Sequence, residues 1–390
     1  MEFTLTNEQR KYFGLDPVPS HWDCTALRNN VWIYFDHDHV KKVIQCRASD
    51  CYIERDYDLK TNQRRTLLPK TSKGKEKPLT LSSIETHSPI HFSFVVRFDK
   101  RDRFNSEAYA ASISNQHCLS ERMAVTECNT NMKTFAQLQE WIMDFIQSSP
   151  AGYTEVMSQL KKQTLKKINY QSGDLFAFPL SRTSFGIGKI LFPIKHITSK
   201  KLVSPPHYFL EIMQVPVLVR LYGTELFCKN ALQIPVVDTS LLQNTPMLPA
   251  YFMSDRYLFR GHYPLIGNIP LTKDELDFPV SYDLQNNVLC WGLGMTHIKR
   301  PLKVAIDPST QGVLLRNNGV KGGASVSLLR NYLQGNEVYH EHEIHHSKNK
   351  KLYTEIIRAA GLLPSITYDE FCKETHTFNR EELIDLLNVK

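Results

Sequence analysis

Hydrophobic residues in the middle of the chain follow a pattern typical of two paired strands. Residues 174–180 read Asp-Leu-Phe-Ala-Phe-Pro-Leu, so apolar side chains occupy both sides of an extended chain, which indicates a strand buried on both faces. Polar residues 181–184 then reverse the chain, and a second apolar run covers 185–192. Gly186 and Gly188 interrupt this run, as glycine does at a bulge or where another backbone approaches closely. The pattern predicts a hairpin that opens a small, strongly bent sheet.

The N-terminal third has strand-like patterns followed by a helical one. Aromatic and β-branched residues at 32–35, 50–54 and 91–98 predict strands. Thr134 and Gln137 have the spacing of a capping box, which begins a helix. Apolar residues then recur at helical spacing and predict a helix packed on the preceding sheet. They are Phe135, Leu138, Trp141, Ile142 and Phe145.

Beyond residue 285 the pattern changes from strands to helices. Residues 288–292 and 311–315 predict strands, whereas 325–333 and 352–360 predict helices.

Capping-box spacing predicts helix starts at three further positions along the chain. These are Thr6 with Gln9, Thr367 with Glu370, and Asn379 with Glu382.

Breaks in these patterns predict a multi-domain α+β protein with short bent antiparallel sheets and peripheral helices. Pro-Ala-Gly at 150–152 marks the boundary between a strand-rich N-terminal domain, 1–150, and the rest of the chain. One helix is the last element of this domain. An α+β domain follows at 151–285, and nine prolines between 205 and 279 predict irregular loops between short strands. Residues 286–390 form strands followed by a helical region.

Composition indicates a soluble, cytoplasmic protein. The 390 residues are 42% hydrophobic and 22% charged, and the net charge is +7. Apolar runs fall short of the roughly 20 residues of a membrane helix, and the polar N-terminus lacks a secretory signal, so we expect no membrane association. The eight cysteines are scattered without a CxxC pair, which favours reduced thiols over a zinc module or a disulfide framework.

The most basic stretch is 60–77, with seven Lys and Arg residues against one acidic residue. A flexible basic loop can contact phosphates without reading sequence. It lacks the interleaved aromatic residues of a surface that binds single-stranded nucleic acid. A mobile, solvated loop and a nucleic-acid contact both remain open.

Two histidine-rich segments are candidates for metal binding. Residues 36–39 read Asp-His-Asp-His around a predicted turn, which is typical of a solvated loop. Within 340–346, His342-Glu343-Ile344-His345-His346 has the literal His-Glu-x-x-His spacing, and a helix would bring His342 and His346 together. A zinc enzyme also needs a third ligand and an open cleft. We therefore expect no catalytic residue, no cofactor and no enzymatic activity, and we name His342 and His346 as the candidates for incidental metal binding.

Four segments resemble the immunity protein 26 family. They are 173–180, the glycine-containing run 185–191, the Arg-Gly-His-Tyr-Pro-Leu-Ile-Gly-Asn of 260–268, and the Glu-Leu-Asp-Phe-Pro of 275–279. The resemblance covers roughly Tyr170 to Asp283. It implies a bacterial protein that is encoded beside a polymorphic toxin and neutralises that toxin by binding.

The resemblance predicts a cognate toxin domain as the partner, bound by the central domain. Recognition without catalysis needs aromatic or apolar anchors surrounded by polar contacts. The candidates in the central domain are Tyr257, Phe259, Arg260, Tyr263, Asp274, Glu275 and Asp277. The alternative is a nucleic-acid-binding or nucleolytic protein that uses the basic stretch 60–77. The oligomeric state stays open.

Overall fold

The computed structural model describes most of the chain. The described residues are 3–47, 51–87, 93–98, 107–111, 134–162, 167–203, 207–211, 216–228, 237–285, 287–304, 320–340 and 343–388. The strand predicted at 311–315 and the candidate ligand His342 lie outside them.

The chain divides into two compact units, which are described separately. Unit 1 comprises residues 1–166, 179–185 and 227–234. Unit 2 comprises 167–178, 186–226 and 235–390.

Unit 1 is built on an eight-stranded antiparallel sheet with the order β1-β2-β3-β4-β5-β6, in which β7 pairs with β4 and β8 with β7. The predicted strand at 32–35 forms. Of the strand predicted at 50–54, residues 51–54 are described and form a strand that continues to residue 62, because β3 pairs with it along most of its length. The strands are β1 Asp23–Arg28, β2 Val31–Asp36, β3 His39–Arg47, β4 Cys51–Asn62, β5 Thr66–Leu67, β6 Lys77–Pro78, β7 Ser93–Arg97 and β8 Glu107–Ala111.

Helices cover both faces of this sheet, and the aromatic stripe of the third helix packs on one of them. Ile84 of the second helix lies in the apolar cluster of the opposite face, with Ile33 and Val43. The helices are α1 Asn7–Tyr12, α2 Leu81–His87, α3 Phe135–Gln147 and α4 Tyr153–Lys162. Thr6 and Thr134 cap α1 and α3 as predicted. Phe13 packs between sheet and helix, with ring centroids 4.3 Å from Phe94 and 5.3 Å from Phe145. The prediction that this stripe packs on the sheet is confirmed.

Unit 2 is built around a five-stranded sheet with the order β12-β11-β10-β9-β13. Its strands are β9 Asp174–Pro179, β10 Ser184–Pro193, β11 Pro216–Phe227, β12 Tyr251–Ser254 and β13 Leu265–Asn268. Strands β9 and β10 are the predicted hairpin, and every residue of β10 is buried. Gly188 and Gly186 lie against the rings of Phe176 and Phe178. Their close neighbours are therefore aromatic side chains, where the sequence suggested a bulge or another backbone.

The described part of unit 2 also contains a second, three-stranded antiparallel sheet and seven helices. The strands are β14 Ser281–Gln285, β15 Val288–Leu293 and β16 Thr296–Pro301. The helices are α5 Ile194–Ser199, α6 Tyr208–Glu211, α7 Arg256–Phe259, α8 Val326–Leu333, α9 Lys350–Ala359, α10 Tyr368–Thr375 and α11 Arg380–Asn388. Thr367 caps α10 through the predicted capping box, and the Asn379 side chain accepts from the first backbone N–H groups of α11.

One apolar cluster in unit 2 joins the central region to the C-terminal helices. Phe278 packs on Phe192 of β10 at 6.1 Å and on Tyr368 of α10 at 4.9 Å between ring centroids. Leu383 of α11 is fully buried in the same cluster. The α+β class with short antiparallel sheets is confirmed, while the division into domains 1–150, 151–285 and 286–390 stays a prediction. Among the helices of the described ranges, none has the length and apolarity to cross a bilayer.

Candidate functional site

The acidic segment of the central region, 272–277, is a short loop that a buried lysine, Lys189 of β10, holds in place. Its centre is a 3₁₀ turn, Lys273–Glu275, with a capping box between Thr272 and Glu275. Both carboxylate oxygens of Glu275 accept hydrogen bonds from Lys189 Nζ of β10, at 2.7 Å each. Lys189 Nζ also donates to the carbonyl of Pro270 at 3.1 Å. The loop is therefore held in one conformation on the central sheet.

Burial decides the roles of the three acidic candidates in this loop. The Lys189 side chain is 0% exposed, and burial lowers the pKa of its ammonium group although Glu275 opposes that shift. A buried ammonium group needs an opposite charge beside it, so the role of Glu275 is to stabilise the fold. Asp274 and Asp277 are exposed. The structure thus separates one structural carboxylate from two that face solvent.

The exposed carboxylates line a cleft of 470 Å³ that the loop forms together with residues from distant parts of the chain. Its lining is Arg220, Lys273, Asp274, Leu276, Asp277, Asp369 and Arg380. Arg380 Nε donates to the carbonyl of Leu276 at 2.8 Å, and its Nη1 lies 3.2 Å from Asp369 Oδ2. Both arginines of the cleft are oriented by hydrogen bonds, since Arg220 donates to the carbonyls of Leu248 and Met247 at 2.7 Å each. The result is a rigid concave surface with charges of both signs.

A half-buried tyrosine lies near this cleft and was not predicted from the sequence. Burial raises the pKa of the Tyr339 hydroxyl, and the negative charges of Asp277 and Glu343 add to the shift. The Tyr339 ring lies 5.4 Å from that of His345, between centroids. More than 60 residues separate Tyr339 from Asp277 in the chain, so no local sequence pattern could associate them. The tyrosine gives the polar cleft an aromatic neighbour of the kind that anchors protein interfaces.

The aromatic candidates occupy a corner formed by α7 and the segment that follows it. Tyr263 is 6% exposed and stacks on Phe176 of β9 and on Tyr257, at 5.8 and 5.1 Å between ring centroids. It is therefore a core residue, and its hydroxyl accepts from the backbone N–H of Ala324 at 3.1 Å. Phe259 and Arg260 are half-buried. Their contact with a partner stays a prediction.

The described part of the histidine-rich segment, residues 343–346, is not helical. Residues 343–346 are a turn ahead of the 3₁₀ turn Ser347–Asn349. His346 Nδ1 accepts from the backbone N–H of Lys348 at 3.2 Å, and His346 Nε2 lies 3.4 Å from Glu337 Oε2. The histidine thus caps a turn. Within the described ranges, no three His, Cys, Asp or Glu side chains are grouped as metal ligands.

Unit 1 contains a buried ion network that the sequence did not indicate. Lys42 of β3 contacts Glu54 and Asp56 of β4, with Nζ 2.6 Å from Glu54 Oε1. Arg10 of α1 donates to the same Glu54 oxygen at 2.7 Å, and the Tyr52 hydroxyl donates to the other. These four charged side chains are at most 6% exposed, and two cations balance two anions. Because these side chains are buried and paired with one another, they hold α1 on the sheet.

The pH dependence of this network is predictable from its pKa shifts. Burial opposes the charged form of Glu54, but Lys42 and Arg10 outweigh it and hold the pKa of the carboxyl below its ordinary 4.5. Burial likewise opposes the charge of Lys42, but Asp56 and Glu54 raise its pKa above 10.5. The network therefore stabilises the fold fully between pH 4.5 and 10.5. It loses this contribution as the pH falls through the lowered pKa or rises through the raised one.

We expect the destabilisation caused by Lys42→Met to be largest in that window and to shrink at acidic pH, where the carboxyls become neutral. Urea unfolding of the wild type and the variant at about pH 7 and about pH 3.5 measures the difference. An equal difference in unfolding free energy at both pH values would contradict the assignment of Glu54 as ionised.

A comparison with known protein families gives a match to the region that contains the acidic loop of the cleft. Neither the curated proteins nor the solved structures gave a match. The family match begins at the hairpin β9–β10 and includes both the aromatic corner and the loop 272–277. It agrees with the resemblance found in the sequence at 170–283. Residues 171–286 of the chain match the family model described as Immunity protein 26.

Proposed function

We propose that this protein is a non-catalytic immunity protein that binds and neutralises a cognate toxin domain in the bacterial cytoplasm. The match of residues 171–286 to the Immunity protein 26 model is the observation that carries the proposal. Neutralisation by binding requires a rigid complementary surface, and no bond in the partner has to be broken.

The geometry of unit 2 supports the cleft as the binding surface. Its carboxylates, Asp274 and Asp277, are exposed on a loop that Lys189 and Glu275 hold in place. Preorganised groups lose little conformational entropy on binding, which favours affinity. Tyr339 adds an aromatic ring close to Asp277. A basic patch on the toxin, with an apolar contact to the tyrosine, fits this arrangement.

We expect Asp274→Asn with Asp277→Asn to weaken binding of the toxin domain encoded beside this protein by about tenfold or more. The change removes two exposed charges and leaves the Lys189–Glu275 pair intact. Calorimetric titration of the purified proteins measures the affinity, and survival on co-expression measures protection.

Glu355→Gln with Glu374→Gln is the matched control, because both residues are exposed on other helices of unit 2 and the net charge changes equally. Control and wild type should protect alike. Equal loss of affinity in both variants would show a general charge effect and place the binding surface elsewhere. Failure of the wild type to bind the toxin domain would contradict the proposed function itself.

A further inference from the structure

Nearly all of the excess positive charge is concentrated in one short segment. The chain has 47 basic and 40 acidic residues, a net charge of +7. Residues 60–77 contain seven of the basic residues and one acidic residue, so this segment alone carries +6. The other 372 residues are close to neutral. A patch of this density is an electrostatic feature of the surface that the proposed toxin-binding cleft does not explain.

The segment is an ordered hairpin with a defined tip. Residues 60–62 end β4, and β5 and β6 pair antiparallel with each other. The tip is a turn in which the backbone N–H of Gly74 donates to the carbonyl of Thr71 at 2.8 Å and that of Thr71 to the carbonyl of Lys75 at 3.0 Å. Leu67 anchors the base of the hairpin and is 1% exposed. The loop predicted from the sequence is present at 68–76, and strand pairing organises both of its ends.

Two of the basic side chains are used within the fold, and five are available. Arg64 Nη2 lies 2.7 Å from Asp23 Oδ2, and Lys70 Nζ lies 3.3 Å from Glu76 Oε1. The other five have no carboxylate at ion-pair distance among the described residues. They are Lys60, Arg65, Lys73, Lys75 and Lys77. All except the half-buried Lys77 are exposed.

We propose that this hairpin, 60–77, is a docking surface for the phosphate backbone of double-stranded nucleic acid. Its exposed side chains are Lys, Arg, Ser and other polar groups, which are the groups that contact phosphates in nucleic-acid complexes. Several cations held within one hairpin can displace several condensed counterions from a duplex, and the released ions drive binding.

The composition of the hairpin argues against a protein partner and against single-stranded nucleic acid. Protein interfaces are depleted in lysine and need aromatic or large apolar anchors. The large exposed hydrophobic residues of the described structure, from Met143 to Leu363, all lie outside 60–77. Single-stranded nucleic acid needs aromatic platforms for its bases, and the hairpin contains no aromatic residue. A duplex, whose phosphates lie on its outside and whose bases are stacked within it, suits this surface best.

The test is binding of the full chain to a labelled DNA duplex, and separately to an RNA duplex, of about 20 base pairs at several salt concentrations. Five contacts predict that log K for the DNA duplex falls with log salt with a slope of about −4.5. Arg65→Gln with Lys73→Gln and Lys75→Gln should lower the affinity at least tenfold and reduce the slope by about three. Glu76→Gln, which removes the opposing charge, should bind more tightly than the wild type. This gain in affinity does not depend on the triple variant's stability.

The control is Lys195→Gln with Lys200→Gln and Lys351→Gln, three exposed lysines of unit 2 whose loss changes the net charge equally. It should bind like the wild type. Equal weakening in both triple variants would overturn the proposal, because net charge alone would then explain binding. Competition by polyglutamate as strong as by the duplex would also overturn it and identify an acidic protein as the partner. Comparison of the affinity for the DNA duplex with that for the RNA duplex shows which of the two nucleic acids the hairpin binds more tightly.

Discussion

Replacement of Lys42 by Met is expected to destabilise unit 1 by about 3–5 kcal/mol. The substitution removes the cation that both Glu54 and Asp56 contact, whereas the backbone N–H of Asp16, which donates to Asp56 at 2.7 Å, is a neutral group and stays in place. The cation compensates the buried carboxylates for the hydration that they lose on folding. Its removal therefore lowers the free energy of unfolding by more than the loss of an ordinary hydrogen bond does. For a unit of this size the melting temperature should fall by about 10 °C.

Lys41→Met provides the matched control on the neighbouring position of the same strand. Lys41 Nζ lies 2.8 Å from Asp58 Oδ1, but the Asp58 side chain is 55% exposed. Exposed pairs of this kind contribute at most about 1 kcal/mol. Tryptophan fluorescence suits the measurement, since Trp22, Trp32 and Trp141 lie in unit 1 and Trp291 alone lies in unit 2. Equal effects of the two substitutions would show that the buried network does not stabilise the sheet.

Local patterns in the sequence predicted the local structure well. The capping residues Thr6, Thr134 and Thr367 begin the helices where their spacing indicated, because a capping box depends only on residues three positions apart. The hairpin at 174–192 was readable for the same reason. Its apolar runs specify strands, and its polar turn specifies where the chain reverses.

Features that depend on distant residues were not readable. Glu54 and Asp56 lie two positions apart, on one face of β4, but nothing in the sequence shows that Lys42 lies directly opposite Asp56 in the strand register. The cleft beside Asp277 likewise needs Asp369 and Arg380 from the C-terminal helices. Strand register and helix docking bring these groups together, and neither follows from a local pattern.

The candidates near residue 260 show the limit of residue type as a signal. An aromatic residue among loops predicts either a binding anchor or a core position, and Tyr263 proved to be core. Only its contacts, the stacking on Phe176 and the hydrogen bond from Ala324, decide between the two. Asp274 and Glu275 show the same limit for charged residues, because of these adjacent carboxylates one is exposed and the other is half-buried against Lys189.

Gly188→Ala is expected to destabilise unit 2 by about 1–3 kcal/mol, even though alanine is a small residue. A Cβ at this position would lie 2.2 Å from Cζ of the Phe176 ring, far inside van der Waals contact. Phe176 is 0% exposed and stacks on Tyr263, so the ring cannot move away without disturbing the core. The backbone of Gly188 has no positive φ, and the cost therefore comes from overpacking alone.

Two further variants make this cause measurable. Gly267→Ala on β13 of the same sheet places its Cβ 3.5 Å from Thr239 Cγ2, an ordinary contact, and should change the unfolding free energy by less than about 0.5 kcal/mol. Phe176→Leu shortens the opposing side chain, so the double variant with Gly188→Ala should be more stable than the sum of the two single effects predicts. Additive effects in this double-mutant cycle would exclude the ring contact as the cause. Full stability of Gly188→Ala with loss of toxin binding would instead assign the glycine to a binding surface.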